Sequence, residues 1–209
     1  MIRKSVSILL LIVLLSLLTA RAVTAASNQK VDAILLVDTS DSMNDELVIL
    51  CEGIDDLIND LERRGITAHI IVVGIAETRA CAERHVSQLL PEAQTHDKED
   101  WGTAIVDLAR YYGWTPDAVR LIVPLSDEGP LQGDPVNNDD KGVIQTAIRA
   151  ARANHVIVSP ALGTRYNPEI EPLARELAQE TGGQVFVSQE PDQDLIEGLQ
   201  NLVLDTTRH

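Results

Sequence analysis

Asp38, Ser40 and Ser42 stand at alternate positions in the string Asp38-Thr39-Ser40-Asp41-Ser42, directly after the run Val31-Asp32-Ala33-Ile34-Leu35-Leu36-Val37. One carboxylate and two hydroxyls so spaced, at the end of a buried strand, make a compact all-oxygen surface of the kind hard divalent cations require. Two distant pieces of chain carry matching groups. Gly102-Thr103 opens a helical pattern, and Ser126-Asp127 ends the apolar run Leu121-Ile122-Val123-Pro124-Leu125. A magnesium-like ion takes about six oxygens at roughly 2.0–2.1 Å and releases its waters reluctantly. Neutral hydroxyls would hold such an ion yet leave it electron-poor, able to take one more anionic oxygen from outside the chain.

Each residue alone has a plainer use. Ser42 could cap a helix starting near residue 44, since Ser42-x-x-Asp45 has the form of a capping box. Thr103 could cap its own helix, and Asp38 or Ser40 could hydrogen-bond the turn. The ordered set of five favours a cation.

The elements that must position these groups follow from apolar periodicity. Residues 31–37 read as a buried strand, 44–63 as a helix and 68–75 as a second strand. The helix carries Leu47, Leu50, Cys51, Ile54, Leu57, Ile58 and Leu61 at three-and-four spacing, and Gly65 stops it. Beyond an ambiguous connection at 76–99 the pattern predicts a helix at 103–112, a strand at 119–125 and a helix near 139–153. A strand at 155–160, a helix at 168–181, a short strand at 184–188 and a closing helix at 192–204 complete the chain. Strands alternating with helices call for right-handed crossovers, hence a doubly wound α/β fold with a mainly parallel central sheet and helices on both faces. Ligands of such sheets bind at the carboxyl ends of the strands near the switch point, and Asp38 and Asp127 each sit just past such an end. The loop from Glu128 to Asn138, with Gly129-Pro130, Gly133 and Asp134-Pro135, hangs over the same edge.

Taken together these residues resemble the metal-ion-dependent adhesion site of von Willebrand factor type A domains. The resemblance rests on Asp38-Thr39-Ser40-Asp41-Ser42-Met43 after a strand, Gly102-Thr103 opening a helix and Ser126-Asp127 ending a strand. It continues through Val156-Ile157-Val158-Ser159-Pro160 to Thr181-Gly182-Gly183 and covers about residues 30–205. It implies that Ser40, Ser42 and Thr103 coordinate Mg²⁺, or Mn²⁺ or Ca²⁺, through their hydroxyls directly or through water. Asp38 and Asp127 would complete or brace the shell, and an acidic side chain of a protein partner would take the open position. Two positions depart from the family: Asp41 where Gly is frequent, and Glu128 where Gly commonly follows the last Asp. Either adds negative charge at the rim, which would favour calcium or weaken capture of an acidic ligand.

Length and composition set the context. With 209 residues, 44% of them apolar, the chain suits one domain plus a processing segment. Met1-Ile2-Arg3-Lys4 is basic, Val6 to Leu18 is apolar apart from Ser7 and Ser16, and Val23-Thr24-Ala25 ends in small residues. This reads as a secretory signal peptide over 1–25, followed by a single domain of this type over 26–209. As a helix, Val6 to Leu18 spans only about 20 Å against roughly 30 Å of hydrocarbon, which favours cleavage over a retained anchor. The expected location is therefore extracytoplasmic, secreted or in the periplasm or cell envelope, without stable membrane insertion. Losing Arg3, Lys4 and Arg21 with the leader moves the formal charge from −15 to −18. Nucleic acid and anionic lipid are poor partners for such a chain.

Cys51 and Cys81 lie in the exported part, where a disulfide is allowed, but Cys51 also falls on the apolar helix face as a small core residue. Asp134, Asp139 and Asp140 could form a second cation site, although an acidic loop entering a helix is more often capped and solvated. Trp101 could pack against a ligand or shield the loop. His69, His85, His96, His155 and His209 show no metal-ligand spacing. No GxSxG elbow, Walker-type loop or GxGxxG occurs, so the chain is expected to be a binding module and not an enzyme. The best alternative is a metal-dependent phosphohydrolase with Asp38 as nucleophile, although such enzymes expect Asp where this chain has Ser40.

Overall fold

A computed structural model describes residues 29–75, 99–131, 135–189 and 191–208. The expected signal peptide at 1–25, most of the connection at 76–99 and Cys81 lie outside the described residues. Cys51 is disulfide-bonded, and Cys81 is the only other cysteine in the chain.

Strand β1 (Gln29–Val37) is an interior strand of the sheet. It pairs in parallel with β2 (Ile66–Gly74), Gln29 opposite Ile66 through Val37 opposite Gly74. On its other side it pairs in parallel with β3 (Val119–Ser126), Val31 opposite Val119 through Val37 opposite Leu125. Next to β3 come β4 (Val156–Val158) and β5 (Ala161–Leu162), and β6 (Phe186–Val187) pairs with β5. All pairings are parallel, so the sheet is the doubly wound kind that the alternation of elements predicts. The chain runs from β1 to β2 on one side and returns to β3 on the other, which makes the carboxyl ends of β1 and β3 the switch point.

Alternation along β1 divides the core into two layers. Val31, Ala33, Leu35 and Val37 face α1 (Asn44–Arg63) and the last helix α5 (Pro191–Thr206). Ile34 and Leu36 face α2 (Trp101–Tyr111) and α3 (Asn138–Ala153), with α4 (Glu171–Thr181) contributing Leu173 and Leu177 to that layer. The predicted stripe of α1 is the one buried: Leu47, Leu50, Ile54, Leu57 and Leu61 are all in the core. Helix α1 ends at Gly65, whose φ of 80° is the left-handed conformation glycine adopts without strain. Among the described residues no helix is long and apolar enough to cross a membrane.

Most boundaries fall within two residues of the periodic reading, and two differ by more. The strand expected at 155–160 is split into β4 and β5, because Pro160 has no N–H to give the ladder. The helix expected from 168 begins at Glu171, after a turn in which the Glu169 N–H donates to the Asn167 side chain and the Ile170 N–H to the Asn167 carbonyl.

Candidate metal centre

Asp38 follows β1 and is held against β3 by its backbone N–H, which donates to the Leu125 carbonyl at 2.9 Å. Its side chain is fully buried. One carboxylate oxygen accepts from the Ser40 N–H at 2.8 Å and the other from the Ser126 hydroxyl at 2.7 Å. Asp38 therefore ties the turn after β1 to the end of β3, two pieces separated by 88 residues.

The hydroxyls continue the connection. Ser42 Oγ donates to Asp127 Oδ1 at 3.1 Å, and Ser40 Oγ lies 2.9 Å from Ser42 Oγ. A serine has one hydroxyl proton; with Ser42 giving its own to Asp127, the Ser40 hydroxyl is shared between Ser42 Oγ and the Asp38 carboxylate as acceptors. Lone pairs on both hydroxyls and on Asp127 are left gathered in one place. Ser42 is not the cap that its spacing allows: residues 41–43 form a turn of 3₁₀ helix, and neither this turn nor α1 has a side-chain cap.

Thr103 is brought to the same edge without joining this chain of bonds. Gly102 N–H donates to the Pro130 carbonyl at 2.8 Å, and the Trp101 indole donates to the Glu128 carbonyl at 3.0 Å. These contacts seat the start of α2 on the loop that follows Asp127. Trp101 is buried, so it shields the loop and is not free to meet a ligand. Asp100, not Thr103, caps α2, accepting from the Thr103 N–H at 3.0 Å. The Thr103 hydroxyl, partly exposed, makes no hydrogen bond among the described residues.

Glu46 belongs to the centre and the sequence reading passed over it. Only 2% exposed, it accepts from the Thr164 N–H and hydroxyl, both at 3.0 Å. Gly163 lets this loop come close, since a Cβ there would lie 3.1 Å from Met43 Sδ and 3.2 Å from Glu46 Oε1. The signal was present: Glu46 is four residues before Leu50, on the same stripe as Ile54, Leu57 and Leu61, where a carboxylate needs a reason.

Burial pushes the Asp38 carboxyl above the usual carboxylate range, opposed by the hydrogen bonds from Ser126 and Ser40 and reinforced by the charge of Glu99. Burial likewise raises Asp127, opposed by Ser42 and reinforced by the charges of Asp38 and Glu46. Among the described residues no Lys or Arg pairs with Asp38, Asp127 or Glu46. Buried carboxylates that crowd one another without a basic partner favour either a proton or a cation. The donor set, carboxylates and hydroxyls only, fits a hard divalent ion. Among the described residues no group of three or more His, Cys, Asp or Glu side chains forms a metal cluster, so hydroxyls must supply part of any shell.

The same burial weighs against Asp38 as a phosphohydrolase nucleophile, because both of its oxygens already accept hydrogen bonds and face no solvent. The second acidic group resolves as a cap. Asp140 is buried and accepts from the Leu131 and Asn137 N–H groups, completing a capping box with Asn137, while Asp139 is exposed and Asp134 lies outside the described residues.

Compared with family models and with curated proteins, the sequence matches none. Among solved structures the chain is similar to homoserine dehydrogenase of S. aureus at pH 6.5, with a TM-score of 0.37 and 16% identity. It is also similar to the same enzyme at pH 7.5, with a TM-score of 0.40 and 14% identity. In both cases 77% of this chain is covered but 32% of the dehydrogenase, so the chain spans about a third of that protein's length. At such scores the dehydrogenase's activity does not carry over to this chain. The expectation that the chain is not an enzyme rests on missing motifs alone and is withdrawn, because absent motifs exclude no activity.

Proposed function

We propose that the chain is an exported von Willebrand factor A-like domain that captures an acidic group of a protein partner through a divalent cation. Ser40, Ser42 and Thr103 would hold the cation through hydroxyl oxygens, with Asp38 and Asp127 bracing or completing the shell. Once bound, the cation supplies a Lewis-acidic position for an anionic oxygen from outside.

The observation that carries this reading is the hydrogen-bonded sequence Ser40 Oγ, Ser42 Oγ, Asp127 Oδ1 between the ends of β1 and β3. Ser42 caps nothing, and Asp127 has no basic partner among the described residues. Asp38, by contrast, orders the turn through Ser40 and Ser126, which keeps the hydroxyls on one side of the switch point. The basic and apolar leader at residues 1–25 supports export.

Calorimetric titration of the purified protein with Mg²⁺, Mn²⁺ and Ca²⁺ tests this. One site is expected, lost on Asp127→Ala and on Ser42→Ala; heats unchanged by both substitutions would refute it.

A further inference from the structure

Next to Asp127 the surface opens into a cleft of about 470 Å³ lined by Asp127, Glu128, Arg165, Tyr166, Asn167 and Glu169, with prolines at its edge. Arg165 is the one basic side chain among the described residues that line it. Its place is set by the centre itself. On one side of it Gly163 N–H donates to the Ser126 carbonyl and Thr164 bonds Glu46; on the other, Asn167 N–H donates to the Asp127 carbonyl. The guanidinium reaches toward Asp45, in the first turn of α1 just beyond Ser42, at 3.7 Å. Both side chains are mostly exposed, 72% and 67%, and the separation is too long for a hydrogen bond. Such a pair contributes little, and Arg165 can exchange Asp45 for another anion at small cost.

The charges around the centre give that exchange a purpose. The charges of Asp38 and Glu46 act on Asp127, and that of Glu99 acts on Asp38. Four carboxylates outweigh a divalent cation, so an incoming carboxylate would meet surroundings that are negative overall. Glu128 and Glu169 on the cleft wall add to this. Resting on the cation-binding reading above, we propose that Arg165 supplies the positive charge that admits a ligand carboxylate to the cleft, leaving Asp45 to pair with it. The partner group is then a single Asp or Glu side chain held between Arg165 and the centre. A segment rich in carboxylates would be turned away by Glu128 and Glu169.

The purified protein loaded with Mn²⁺ gives a direct test, with N-acetyl-aspartate N-methylamide as probe and paramagnetic relaxation of its methylene protons as signal. The expected result is saturable relaxation by the wild type and none for the asparagine analogue. Arg165→Gln should weaken the probe about tenfold or more, as for loss of a hydrogen bond to a charged group. Mn²⁺ affinity, read separately by electron paramagnetic resonance, should hold or rise in that variant, because a nearby positive charge has been removed. Arg165→Lys should fall between. A purely structural role would instead weaken probe and Mn²⁺ together. Probe affinity within twofold of wild type in Arg165→Gln, or equal relaxation of the asparagine analogue, overturns the role of Arg165 while leaving the cation in place. Failure of the wild type to bind Mn²⁺ overturns the cation-binding reading itself.

Discussion

Replacing Asp127 by Asn removes one buried negative charge and keeps the shape, and its effect should change sign with the cation. The amide oxygen of the replacement can still accept from the Ser42 hydroxyl, so the connection from Ser40 across to β3 survives. What is lost is a carboxylate, 5% exposed, that burial and the charges of Asp38 and Glu46 make costly to ionise. Two like charges at roughly 8 Å in an effective dielectric of about 20 repel by about 2 kcal/mol. A domain of this size shifts its melting temperature by about 2–4 °C per kcal/mol. In chelator at pH 7.5, Asp127→Asn should therefore melt up to about 4–8 °C above wild type. Magnesium at about a hundred times its Kd should stabilise the wild type by about 2.7 kcal/mol, or about 5–11 °C, and leave the variant unmoved. Circular-dichroism melts of both proteins, with magnesium and with chelator, measure all four values. A variant that melts below wild type in chelator and still responds to magnesium would refute the reasoning on both counts.

Three further outcomes follow from the same geometry. Because the folded state holds protons on Asp127 and Asp38 more tightly than the unfolded state, whose carboxyls titrate near 3.8, this term is lost as pH rises from there through the raised folded values. In chelator, the melting difference between Asp127→Asn and wild type should thus widen from pH 4 toward neutrality; a constant difference contradicts it. Ser42→Ala should weaken Mg²⁺ at least tenfold in calorimetry and cost about 1–3 kcal/mol in urea unfolding, because the buried Asp127 carboxylate loses its hydroxyl donor; Mg²⁺ affinity within twofold of wild type would contradict the role of the hydroxyl. Gly102→Ala would set a Cβ 2.7 Å from the Pro130 carbonyl oxygen and 2.8 Å from Val143, so it should cost about 1–3 kcal/mol and weaken Mg²⁺ by moving the start of α2. Unchanged stability and affinity would show that the seat of α2 on that loop does not matter.

Much of this arrangement could be read before any coordinates. Periodicity located α1, β2 and β3 to within two residues, because each carries a buried stripe or run long enough to overwhelm local preferences. The parallel pairing of β1 with both β2 and β3 then places Asp38 and Asp127 together, as strand–helix alternation requires. The break between β4 and β5 was harder to foresee, since the apolar pattern continues across Ser159-Pro160 and only the missing N–H interrupts pairing. Ser42 illustrates a different limit. Its spacing to Asp45 matches a cap, but the chain inserts a turn of 3₁₀ helix at 41–43 that turns the hydroxyl to Asp127. Glu46 was overlooked because the stripe was read for apolar residues alone, and its partner Thr164 lies 118 residues away. Thr103 falls between these cases: the structure seats its helix at the right edge, and only its hydroxyl is left without a bond inside the described fold.

Crystals grown with Mn²⁺ and measured at an energy where manganese scatters anomalously would address the central claim most directly. The expected result is one strong anomalous peak at the carboxyl ends of β1 and β3, within about 2.3 Å of the Ser40 and Ser42 hydroxyl oxygens. A map with no peak there, or with manganese only on exposed carboxylates elsewhere, would contradict the account.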